Sequence, residues 1–187
     1  MNSRTLPTFA AAFLVAAAAC PAAEPVSIDV AAAGISFRVK SPNTDGNNTV
    51  TITPAGLAAA NKPVTRKIEG MVGDAELADL DGDGAKELLI YVFTPGTGQY
   101  GEVVAYSTNC NKSLSEIVVL SPGEKALAGY GGHDEWKPGK RGLVRRFPIY
   151  REGDAGAAPT GGRCSIIYEL RQGETVWQLV PVKVSRP

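Results

Sequence analysis

ELLIYVFTPGTGQYGEVVAYS, residues 87–107, decides how the chain folds. From Leu88 to Phe93 the side chains are apolar without alternation, which on a strand means a central position covered on both faces. Gly101–Ser107 supplies a second strand. Between them, Thr94–Tyr100 contains Pro95, Gly96 and Gly98, so it reads as a hairpin connection. Gly96, Gly98 and Gly101 fall within six positions, and a backbone free of Cβ clashes can project the Thr97 hydroxyl and the Tyr100 phenol from the tip. The plainer alternative is a mere connection, with Tyr100 packed on its neighbours.

Strand signals recur outward from this hairpin. Ile35–Lys40, Thr49–Thr53 and Val64–Glu69 precede it, and Ser115–Leu120, Leu143–Tyr150, Cys164–Leu170 and Thr175–Val184 follow, most of them separated by Gly, Pro, Asn or Asp clusters. Such spacing predicts an all-β fold, an antiparallel β-sandwich with the glycine-rich hairpin loop protruding from it. Arg171–Glu174 looks like the turn joining the last two strands. Only Ala55–Asn61 has helix-forming residues at useful spacing. Arg151–Gly162 is too long and too rich in Gly, Ala and Pro for a tight turn and reads as a flexible connection. The 21 glycines and 13 prolines agree with a turn-rich β protein.

Composition excludes several functions. The 187 residues carry 19 Lys and Arg against 19 Asp and Glu, so no basic surplus exists for nucleic acid or an anionic membrane. A single histidine, His133, and three cysteines exclude multi-histidine metal sites and four-cysteine zinc sites. They also leave few ways to build a nucleophile–base pair. The expectation is a protein that is not an enzyme and requires no cofactor.

Residues 1–23 read as a signal peptide: Arg4 in a short n-region, an apolar run from Phe9 to Ala19, and small residues around Cys20. The run is about eleven residues where a membrane span needs about twenty. Ala17-Ala18-Ala19-Cys20 resembles a lipobox, in which Cys20 would be acylated and anchor the chain; processing near Ala22 or Ala23 would instead discard it. Both readings stay open, and both export a single domain, residues 24–187. Cys110 and Cys164 then remain as a pair in an oxidising compartment, and a disulfide between them is expected.

Two further clusters bear on chemistry. Asp79, Asp81, Asp83 and Glu87 occupy positions 1, 3, 5 and 9 of a loop with Gly84 at position 6, an arrangement of hard oxygen ligands that can converge on Ca²⁺. Position 12, where an EF-hand has its bidentate glutamate, is Ile90. The simpler reading is a polar turn whose carboxylates cap backbone amides. In Gly131-Gly132-His133-Asp134-Glu135-Trp136, neighbouring side chains on an extended chain point to opposite faces and cannot form a triad among themselves. A structured loop is expected there, with His133 bonded to backbone and Trp136 anchored at the core or its rim.

Taken in order, DLDGDGAKELLIYVF (79–93), TGQYGEVVAYS (97–107), GGHDEW (131–136), RRFPIY (145–150), PTGG (159–162) and IIYEL (166–170) resemble the periplasmic inhibitors of invertebrate-type lysozyme from Gram-negative bacteria. The likeness covers most of residues 71–184 and little before Ile68. It implies an antiparallel β-sandwich that inserts a Ser-Gly-x-Tyr loop into the active-site cleft of a lysozyme. The matching positions are Thr97, Gly98, Gln99 and Tyr100, with Thr97 replacing the serine: the hydroxyl is kept and a methyl added. The expected function is thus that of an exported, periplasmic lysozyme inhibitor protecting the cell wall. The rival is an extracytoplasmic Ca²⁺-binding β module with a structural or adhesive role.

Overall fold

The computed structural model describes residues 24–44 and 47–187. The signal peptide, with Cys20, lies outside the described residues. Strands β1 (Val26–Ala32), β2 (Ile35–Ser41), β3 (Asn47–Ala55) and β4 (Val64–Glu69) form an antiparallel four-stranded meander. Strands β5 (Met71–Ala78), β6 (Glu87–Phe93), β7 (Gly101–Ser107), β8 (Ser115–Val119), β9 (Glu135–Pro138), β10 (Leu143–Pro148), β11 (Arg163–Gln172) and β12 (Trp177–Ser185) form the second sheet. Its spatial order is β5-β6-β7-β8-β12-β11-β10-β9. Every pairing in it is antiparallel except β8 with β12, which is parallel.

The all-β sandwich predicted from the hairpin is the architecture found, and β6 explains why. Leu88, Ile90 and Val92 face the small sheet and share a core with Phe37, Val39, Val50 and Ile52. Leu89 faces the other way, into a second core with Phe147, Ile166, Tyr168 and Leu179. The large sheet therefore curls until β10–β12 cover β6–β8. One strand serves two cores. Each fully buried Leu or Ile contributes about 1.5–3 kcal/mol, and β6 contributes on both sides.

Several expectations are corrected. No helix forms among the described residues, so none is long and apolar enough to cross a membrane. In Ala55–Asn61, the one stretch with helix-forming spacing, Gly56 sits at φ +83° and Asn61 bonds the Leu57 amide and carbonyl with its own side chain, at 2.9 and 2.7 Å. An asparagine that satisfies backbone groups this way competes with helix formation. Ala58, Ala59 and Ala60 instead donate their amides to the Asn111 and Lys112 carbonyls.

The Cys110–Cys164 disulfide is not formed; both thiols are free, Cys110 exposed and Cys164 buried. Cys110 follows Asn109, whose side chain accepts the Trp177 indole N–H at one end of β12. Cys164 precedes Ser165, which pairs with Ser185 at the other end. Eight strand steps separate those ends, about 25 Å, whereas bridged Cα atoms lie within about 7 Å.

Residues 151–162, expected to be a flexible connection, are organised around Asp154. Its carboxylate accepts the Arg151 and Thr160 amides at 2.7 and 2.8 Å and the Thr160 hydroxyl at 2.8 Å. Those bonds hold the Asp154 pKa below its ordinary value.

Candidate partner-binding loop

Phe93 pairs with Gly101, leaving Thr94–Tyr100 as the connection between β6 and β7. Thr94 closes it twice: its amide donates to the Tyr100 carbonyl at 2.9 Å, and its hydroxyl oxygen accepts the Tyr100 amide at 3.1 Å. Beyond that clasp Gly96 takes φ +122° and Gln99 φ +41°. Thr97 and Gln99 are exposed and Tyr100 is 49% exposed. The Tyr100 ring lies close over Gly98: a Cβ there would stand 2.5 Å from it, so a larger residue would make the ring swing away.

The tip does not stand alone. The segment Gly131–Asp134, which had seemed a separate cluster, lies against it. The His133 amide donates to the Gly98 carbonyl at 2.7 Å, and the Tyr100 ring meets Tyr130 edge-on with centroids 5.6 Å apart. Thr97, Tyr100, His133 and Tyr150, with Gly131 and Gly156 between them, line an open cleft of about 300 Å³. His133 thus joins the loop through its own backbone amide, and its ring lies tilted against Tyr150 at 6.5 Å.

Beneath the tip is a group that sequence reading missed. The Asp134 side chain is fully buried and pairs with Arg145, whose side chain is 11% exposed, at 2.7 Å. The other Asp134 oxygen accepts the Gly101 amide at 2.8 Å and the Tyr130 hydroxyl. The Arg145 guanidinium lies 4.7 Å from the Tyr130 ring centroid and 5.2 Å from those of Trp136 and Phe147. Trp136, partly buried on the second core, donates its indole N–H to the Gly101 carbonyl at 3.2 Å. Burial first, then the bond to Asp134, pushes the Tyr130 phenol pKa upward, so it stays a donor.

In the acidic loop, one oxygen each from Asp79, Asp81 and Glu87 lie within 4.8 Å of one another. Asp83 does not join them; its carboxylate faces the Cys110 thiol at 3.9 Å. The carboxylates cap amides: Asp79 accepts from Gly82 and Gly84, Asp81 from Asp83, and Asp83 from Ala85. Glu87 is 3% exposed and accepts the Leu80 amide at 3.0 Å. Burial, eased by that amide and reinforced by Asp81, Asp83 and Asp79, pushes its pKa up to about 7.

The folded state therefore holds a proton on Glu87 that the unfolded chain releases above about 4.5. This stabilisation is complete below that pH and is lost as pH rises to about 7. Wild type should lose about 2–3 kcal/mol relative to Glu87→Gln across this interval, measured by urea unfolding at stepped pH. Parallel pH profiles for the two proteins would show that Glu87 titrates normally.

No family model, curated protein or solved structure matches the chain.

Proposed function

We propose that this chain is an exported inhibitor of lysozyme, most compatible with the invertebrate type, acting from the periplasm of a Gram-negative bacterium to protect peptidoglycan. The observation that carries the reading is the preformed tip: Thr97 and Gln99 exposed, Tyr100 half out of the surface, and the backbone beneath them clasped by Thr94 and Asp134. A glycosidase cleft offers two carboxyl groups, one ionised and one protonated at working pH. The Thr97 hydroxyl can donate to the first and accept from the second, standing where a substrate oxygen would stand without being cleavable. Tyr100 would bury the exposed half of its ring against the cleft wall. A loop already ordered loses little entropy on docking.

Titrating the purified domain against invertebrate-, chicken- and goose-type lysozymes tests this directly. Stoichiometric loss of cell-wall turnover supports the reading; unchanged turnover by all three rejects it. Thr97→Ala should cost about 1–2 kcal/mol of binding, since one hydroxyl bonded to a charged group is lost. Thr97→Ser should bind about as well as wild type, as inhibition assays would report. The calcium alternative draws on the convergence of Asp79, Asp81 and Glu87. It requires a loss of thermal stability on adding chelator, with no effect of the domain on lysozyme.

A further inference from the structure

We infer that Asp134 is the positioning residue of the Thr97–Tyr100 loop: a buried carboxylate that holds the tip in one conformation before any partner arrives. The inference deepens the inhibitor reading and, for its effect on lysozyme, rests on it. Asp134 is the only described side chain bonded at once to the base of the hairpin, through the Gly101 amide, and to β10, the second sheet's penultimate strand, through Arg145. Its immediate neighbour, His133, bonds the tip itself at Gly98. Gly101 has to be glycine for this approach, because a Cβ there would stand 2.7 Å from the Asp134 Cβ.

The chemistry suits positioning. A carboxylate accepting three donors fixes three groups at once: Oδ2 holds the Gly101 N–H and the Tyr130 O–H, and Oδ1 holds the Arg145 Nε–H. Tyr130, so oriented, presents its ring to Tyr100 on one side and to Phe147 on the other, the latter at 4.8 Å. The order in the tip is thus referred back to the second core through two rings and an ion pair. Burial makes the arrangement all-or-none, because losing one charge leaves the other stranded in a site with little water.

For that reason the test removes both charges together. Asp134→Ala/Arg145→Met eliminates the acceptor without stranding an ion. Asp134→Asn/Arg145→Met returns one acceptor oxygen to the same place. Ile52→Val, in the first core and remote from the loop, controls for general loss of stability. Two quantities are read on each protein: amide hydrogen exchange at Gly101 and His133, and the inhibition constant against an invertebrate-type lysozyme.

The expected result for Asp134→Ala/Arg145→Met is exchange at least about tenfold faster at both amides and inhibition weaker by about tenfold to a hundredfold. The asparagine form should recover most of both, and Ile52→Val should change neither selectively. Protection at Gly101 and His133 that survives the alanine form overturns the inference. So does an equal loss in Ile52→Val, or wild-type inhibition in a variant whose loop amides exchange freely. Wild-type protein that inhibits no lysozyme would sink the inhibitor reading instead, and the exchange data would still decide whether Asp134 orders the loop.

Discussion

Tyr100→Ala should weaken inhibition of an invertebrate-type lysozyme by about thirty-fold to a thousand-fold, or about 2–4 kcal/mol. The size follows from what the ring does in each state. In the free protein half of it is already ordered: it crosses the Tyr130 edge at 5.6 Å and lies back over Gly98. Only the exposed half remains to be buried in the complex, and its rotamer is held before docking. The stability of the free protein should fall by about 1 kcal/mol, the worth of one edge-on aromatic contact. A melt and an inhibition curve on the same preparation separate the two. If stability falls by several kcal/mol while inhibition is unchanged, Tyr100 is a packing residue and the inhibitory surface lies elsewhere.

Gly132→Ala should be the most disruptive single change near the loop, and it would be felt in both assays. Gly132 has φ +93°, and a Cβ there would clash with the Gly98 carbonyl oxygen, far inside the van der Waals contact distance. Left-handed backbone alone costs a residue bearing a Cβ about 1–2 kcal/mol; here either the Gly131–Asp134 segment or the hairpin tip must also move. The His133 bond to Gly98 would be broken in the process. An overall loss of about 3 kcal/mol is expected, with most inhibition lost alongside. Gly153→Ala supplies the reference, since Gly153 has φ +86° but open space around its absent Cβ. Denaturant unfolding that gives the two variants equal losses would mean the two segments separate freely in solution.

The glycines were the one sequence signal that pointed to this contact, and they were legible only in part. GTGQYG and GGH each read as turn material. That Gly101 and Gly132 are small because the two stretches touch depends on pairing across some thirty residues, which no local pattern encodes. Asp134 was invisible for a related reason. Beside His133 and Glu135 it looked like one more loop carboxylate; its partner, Arg145, lies on another strand, and the two meet only when β9 pairs with β10 at Arg145–Trp136.

The strands tell the same story at larger scale. Glu87–Phe93 was readable to the residue because burial on both faces leaves an unbroken apolar run from Leu88, and Gly101–Ser107 because Val103–Tyr106 follows the glycine-rich turn. β1, with Val26, Ile28 and Val30 alternating, carried a readable period of two that went unassigned. β5 was masked by Gly73 and Asp74, where its register against β6 shifts. The four residues of β9 are too few for any periodicity to register. The cysteine pairing failed because it was inferred from an even count, and a count carries no distance.

The parallel pairing of β8 with β12 has a consequence for the order in which the chain can fold. β12 enters the large sheet between β8 and β11, with Trp177 beside Ile117. The hairpins β1–β4 and β5–β8 each join neighbours in sequence and can form while the rest of the chain is still emerging. The β8 edge, by contrast, stays open until a strand some sixty residues downstream arrives to fill it. Until then the inward side chains Leu89, Val103, Ala105 and Ile117 lack their partners from β10–β12, and an unpaired strand edge lies beside exposed apolar surface. A chain truncated before Trp177 should therefore be prone to aggregate, not merely less stable. The last strand is the stitch that closes the sheet, and folding before it is made is folding around a gap.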